Sequence, residues 1–167
     1  TSDIGVGNDF RRIGLVRNPY NFGTTTVASA STRRQIYAAV FSSVSGTFAA
    51  DEEINQASTG AVGKVVEYDA TNKLLYWYQT RFPDVGTDSD GNATAFSGAN
   101  AITGQTSSAS ATPNTSSSTD VNGVSITSGY SNPELASDSG DIIYVEERSP
   151  ITRASDQTEN IKLIIEF

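Results

Sequence analysis

Residues 62–80 read VGKVVEYDATNKLLYWYQT. Two runs rich in β-branched and aromatic residues, 62–68 and 73–80, flank the polar tetrad Asp69-Ala70-Thr71-Asn72. Such runs suit a pleated, half-buried surface, and a four-residue polar connection is built around a type I turn. The stretch therefore predicts a β-hairpin. Alternation places Val62, Val66 and Tyr68 on one side with Lys64, and Leu75 and Trp77 on one face with Gln79. Tyr76 and Tyr78 fall on the face opposite Trp77.

Outward from the hairpin, further strands are expected on the same logic. Residues 10–17 (FRRIGLVR) set Ile13 and Leu15 against Phe10 and Val16. Residues 35–44 (QIYAAVFSSV) are apolar on both faces, with Ile36, Ala38 and Val40 alternating with Tyr37, Ala39 and Phe41. That pattern reads as a strand covered on both sides. Asn18-Pro19 breaks the chain between them, and 24–32 is polar, an irregular segment or an edge. Residues 141–147 (DIIYVEE) place Ile143 and Val145 on one side and Ile142 and Tyr144 on the other, with Pro150 ending the strand. Residues 160–167 (NIKLIIEF) alternate Ile161, Leu163, Ile165 and Phe167 against Lys162, Ile164 and Glu166, so this closing strand is expected to lie docked in a sheet. Val124 and Ile126 mark a short strand in an otherwise loop-like 121–138.

The segment 105–120, QTSSASATPNTSSSTD, is Ser/Thr-rich and nearly free of large apolar residues. On composition it reads as a flexible loop. The expected architecture is all-β and antiparallel. Residues 1–45 and 121–167 form a discontinuous β-sandwich body, 46–104 an inserted small β-module, and 105–120 the flexible loop.

Bulk composition narrows the function. The chain has 167 residues, enough to bury roughly 70% of its unfolded surface. Eleven Lys and Arg against 19 Asp and Glu leave a net charge of −8, a balance that repels nucleic-acid backbones. Neither Cys nor His is present, so no disulfide, thiol nucleophile or His-based triad can be assembled from this chain. No apolar run approaches the ~20 residues that span a bilayer. The opening Thr1-Ser2-Asp3-Ile4-Gly5 and the absence of Met read as a piece of a longer protein.

The last 28 residues carry a more specific pattern: Asp141-x-Ile143-Tyr144-x-Glu146, then Arg148-x-Pro150-Ile151, then Asp156-Gln157-Thr158-Glu159, then an apolar strand closing on Phe167. This resembles the carboxy-terminus of the baseplate wedge protein family known as gene product eight in T-even-type contractile-tailed phages. Asn8-Asp9-Phe10-Arg11, a strand and Asn18-Pro19 resemble the stretch that precedes it there. The family's short connection is replaced here by well over a hundred residues, whose middle part resembles small β-modules inserted in tail proteins of marine cyanobacterial phages. The resemblance implies a β-sandwich virion protein that is assembled in the host bacterial cytoplasm, forms homodimers and packs against other wedge subunits. It implies no enzymatic activity and no cofactor. Because core packing does not account for a specific pattern in a polar loop, the loop is assigned to contacts with a subunit partner or to holding the strand exit, and Arg148, Pro150, Ile151, Arg153, Asp156 and Gln157 are the candidate assembly-interface residues.

Sharper chemistries are weighed against this reading. Asp84, Asp88, Asp90 and Asn92 suggest a calcium loop, yet counting from Asp88 puts Ala93 and Ala99 where an EF-hand needs Gly and Glu. A β-turn is the simpler reading. Asp141, Glu146 and Glu147 invite comparison with a glycosidase pair, but strand neighbours such as Glu146 and Glu147 point to opposite faces. Glu146 with Asp156 or Glu159 is the remaining combination, against which surface pairing with Arg148 or Arg153 is preferred. The row Tyr76-Trp77-Tyr78 invites a sugar platform, and a host-surface glycan-binding module is the alternative function. Alternation splits the row between core and surface. The sequons at Asn92-Ala93-Thr94 and Asn114-Thr115-Ser116 carry no meaning in a bacterial cytoplasm.

Overall fold

The hairpin forms where its alternation requires. The structure, a computed structural model, describes residues 12–31, 34–79, 85–137 and 139–147. Eleven strands and no helix are found among the described residues: β1 (Arg12–Arg17), β2 (Tyr37–Ser45), β3 (Glu53–Gln56), β4 (Ala61–Asp69), β5 (Leu74–Tyr78), β6 (Ile102–Gly104), β7 (Ser110–Pro113), β8 (Asp120–Val121), β9 (Val124–Ser125), β10 (Tyr130–Ser131) and β11 (Asp141–Glu147). Strands β4 and β5 pair antiparallel from Lys64–Tyr78 to Asp69–Leu74. Asp69 Oδ1 accepts the backbone N–H groups of Thr71 (2.9 Å) and Asn72 (3.1 Å), and Lys73 closes the turn at φ 51°.

One detail of the expected alternation is corrected. A bulge between Val65 and Glu67 moves one residue out of register, which transfers every later side chain to the other face. Tyr68 is thereby turned to the inside, where it packs against the core that holds fully buried Val65, while Val62, Lys64 and exposed Val66 keep the side that alternation gives them.

The chain divides into two compact units, Thr1–Asn18 with Gly140–Phe167, and Pro19–Ser139. This differs from the boundaries that composition suggested. Strand β2, expected in the outer body, pairs with β5 through residues 37–40 and with β7 through 41–45. The antiparallel order β2-β5-β4-β3-β6-β7 thus returns to β2 and closes a six-stranded barrel, with β10 added on β2. Closure removes the free edges that an open sheet would expose.

The expectation of a flexible loop at 105–120 is corrected for a related reason. Ala109, Ala111 and Pro113 alternate into the interior and are buried, and β7 around them seals the barrel. Small apolar residues at a period of two serve here because the facing strand brings Phe41 and Val44 to the same place.

Two cores result. Inside the barrel, Ile54, Val65, Leu75, Trp77, Phe96 and Ile102 meet Ala39 and Phe41 of β2. On the outer side of β2 and β5, Ala38, Val40 and Leu74 are covered by Val124 and Ile126 of the β8–β9 hairpin and the residue beyond it. Strand β2 is therefore covered on both faces, as its composition predicts. The β8–β9 turn is Asn122-Gly123, both at positive φ (49° and 77°), the pair that a type I′ hairpin requires.

In the other unit β1 and β11 form an antiparallel two-stranded ribbon from Arg12–Glu147 to Arg17–Asp141. The strands expected at 10–17 and 141–147 are both present; the one expected at 160–167 lies outside the described residues.

Candidate functional site: an apolar β-ribbon

The β1–β11 register fixes which side chains share a face. Leu15 stands opposite Tyr144 and Val16 opposite Ile142, with a bulge between Leu15 and Val16. Directly paired residues project to the same side, so Leu15 shares a face with Tyr144 and Val16 shares one with Ile142. Ile143 is the extra residue at the bulge, and Val145 faces Gly14, where a methyl group on the glycine would meet nothing within 4 Å.

All six apolar side chains are exposed, from 46% for Tyr144 to 70% for Ile142. Tyr144 donates its hydroxyl to Glu146 Oε2 at 2.7 Å, and Arg17 meets Asp141 at 3.3 Å with both side chains 64% exposed. A pair so exposed contributes at most about 1 kcal/mol. Covering six apolar side chains that are now about half exposed is worth roughly 5–10 kcal/mol. Among the described residues, the ribbon is apolar and exposed on both faces.

The residues singled out beforehand fall in different places. Arg148, Pro150, Ile151, Arg153, Asp156 and Gln157 lie outside the described residues, in the segment that follows β11. Asp88 spends its carboxylate on its own turn: Oδ1 accepts the N–H groups of Asp90 and Asn92, each at 2.9 Å, and Gly91 turns the chain at φ 77°. Trp77 is 1% exposed inside the barrel, stacked on Tyr37 at 5.9 Å and edge-on to Phe96 at 5.0 Å. Tyr76 is half-buried against the outer core, and burial raises its phenol, with Glu67 adding to the rise and the Arg34 guanidinium opposing it. The aromatic row is not an open platform.

Sequence reasoning missed two buried polar residues at either end of β3. Glu52, 5% exposed, receives four donors: Ala49 N–H (2.7 Å) and Ser107 O–H (2.7 Å) at Oε1, Thr106 N–H (3.1 Å) and Ser107 N–H (2.9 Å) at Oε2. Burial pushes its carboxyl up, but the four hydrogen bonds outweigh that and hold it below the usual glutamate range. Gln56, fully buried, accepts from Ser97 N–H and Thr59 O–H through Oε1 and donates to Asn100 O and Tyr130 Oη through Nε2. Both are occupied within the fold and clamp loops. In the sequence Glu52 stands in the acidic run Asp51-Glu52-Glu53, which looks like a solvated face.

Residues 105–167 match the family model described as Bacteriophage T4, Gp8. No curated protein and no solved structure matches the chain at a significant level. The matched stretch contains β7 to β11 and everything that follows, including the strand that supplies four of the six exposed ribbon side chains. Over residues 105–167, the carboxy-terminal part of the chain is similar to the gene product eight family of phage baseplate wedge proteins.

Proposed function

We propose that the chain is a virion structural component of a contractile-tail baseplate that acts by subunit packing, with the β1–β11 ribbon as its packing surface. The observation that carries this reading is an apolar ribbon exposed on both faces within a family whose members are baseplate components. A wedge subunit must present surface that is stable in water yet strongly favoured when covered, and a narrow ribbon of Leu, Val, Ile and Tyr meets that requirement. The segment after β11, with Arg148, Pro150, Ile151, Arg153, Asp156 and Gln157, extends the same interface. Its partner is another wedge subunit or, in a homodimer, a second copy. The barrel, read in part as an insertion over 46–104, acts as an accessory module. The mechanism is non-catalytic and needs no cofactor. With a net charge of −8, packing against protein is favoured over nucleic acid. No helix among the described residues is long and apolar enough to cross a membrane.

The test is assembly against fold. Ile142→Asp and Val145→Asp, and the pair Arg148→Ala with Arg153→Ala, are each followed by sedimentation with the neighbouring wedge subunits and by the fluorescence of Trp77. Loss of assembly with an unchanged barrel supports the reading. Wild-type assembly by all three variants would refute it.

A further inference from the structure

The chain leaves the ribbon through Asn18 and re-enters it through Gly140, the residues next to the last pair, Arg17 opposite Asp141. Both sit in the left-handed region, Asn18 at φ 52° and Gly140 at φ 89°. Left-handed backbone is costly for most L-residues and is the province of Gly and Asn. An Asn followed by a Gly, both at positive φ, between two antiparallel strands is the signature of a type I′ hairpin turn. Here the two turn residues are separated in sequence by the whole of Pro19–Ser139.

The far side of that junction is equally self-contained. Tyr20 N–H donates to Ser139 Oγ at 2.9 Å and Ala136 N–H to Tyr20 O at 2.9 Å, Asn21 bridges to Leu135, and Phe22 N–H donates to Glu134 O at 2.8 Å. The two ends of Pro19–Ser139 are thus stitched to each other. Both hydrophobic cores, from Ala38 to Ile126, are built within it.

From this geometry we infer that Pro19–Ser139 is an autonomous folding unit spliced into an Asn18–Gly140 type I′ turn, so that the barrel and the β1–β11 ribbon unfold independently. Among the described residues, the barrel core and the hydrogen bonds that join the two ends of Pro19–Ser139 lie within that unit, and Asn18 and Gly140 keep the positive φ that the ribbon's turn would have alone. The barrel can then be stable, destabilised or exchanged without altering the ribbon's register.

The full chain tests this directly, because Trp77 is its one tryptophan and lies inside the barrel. Leu15→Pro combined with Val145→Pro breaks the ribbon. The thermal midpoint read by Trp77 fluorescence is expected to stay within about 1 °C of the parent, while the β11 amides lose their exchange protection. In the reverse arm Leu75→Ala opens a cavity in the barrel and lowers the Trp77 midpoint by roughly 10 °C. At a temperature between the two midpoints, exchange at the β11 amides is expected to stay within about twofold of the parent, as local stabilities in separate cooperative units allow. A Trp77 midpoint that falls with the ribbon variant, or β11 protection that collapses with the barrel variant, would overturn the inference. So would the absence of any cooperative Trp77 transition in the parent chain.

Discussion

Ser107 donates to Glu52 twice, its hydroxyl to Oε1 at 2.7 Å and its backbone N–H to Oε2 at 2.9 Å. A buried carboxylate is here neutralised by dipoles alone, since the other two donors are the backbone N–H groups of Ala49 and Thr106. Removing it leaves three N–H groups facing one another. Glu52→Ala is expected to cost about 3 kcal/mol or more in urea unfolding, and Glu52→Gln less, because its carbonyl oxygen still accepts.

The same site sets a pH dependence. The folded carboxyl lies below its ordinary range, so its stabilising effect is fully present above the unfolded glutamate pKa and is lost as pH falls through the folded value. Parent and Glu52→Gln stabilities are therefore expected to converge in acid below the usual glutamate range and to diverge above it. Parallel curves across that range would show that the carboxylate has no special role.

Gly104 lies directly under that carboxylate. A Cβ there would come within 2.6 Å of Oε1, Oε2 and Ser107 Oγ, closer than any real contact. Gly104→Ala is expected to displace Glu52 and cost about 1–3 kcal/mol by thermal melting, although Gly104 sits in a strand, where Ala normally adds stability.

Trp77 Nε1 is buried without a hydrogen-bond partner. Trp77→Phe loses volume but also removes an unsatisfied donor, terms that offset to within about 1.5 kcal/mol. Trp77→Ala has no such compensation and is expected to cost about 3–5 kcal/mol. Denaturant midpoints of the two variants, read by circular dichroism, decide the point.

Residues 105–120 are expected to resist limited proteolysis as well as the rest of the barrel, because cleavage there requires β7 to leave its place between β6 and β2. Rapid nicking in this stretch, with Trp77 still native, would mean that the seal is loose.

What the sequence made legible follows the range of the interactions. The β4–β5 hairpin and the ribbon strands at 12–17 and 141–147 could be read because large alternating residues carry their own signal. The bulge at Val65 could not, since one displaced residue leaves composition unchanged. Barrel closure was hidden because β2 finds β7 rather than a neighbour. Strand β7 did carry a mark, Ala109, Ala111 and Pro113 at a period of two, but Ser and Thr outnumber them and polarity dominated the reading. Of the candidate interface, the alternation of Ile142 to Val145 was visible; that both faces stay open depends on what surrounds them, which only the fold displays.

The closing pair of the barrel, Phe41 with Pro113, lies 72 residues apart along the chain. On a ribosome adding about 5–20 residues per second, β2 therefore emerges roughly 4–14 s before the strand that completes it. During that interval its apolar face toward β7 is shielded only by whatever β5 and β4 can cover. The hairpin that dominates the sequence is then more than the clearest local signal. It is the early partner that keeps β2 from associating with other nascent chains until β7 arrives, and substitutions that slow β4–β5 pairing are expected to lower soluble yield out of proportion to their effect on final stability.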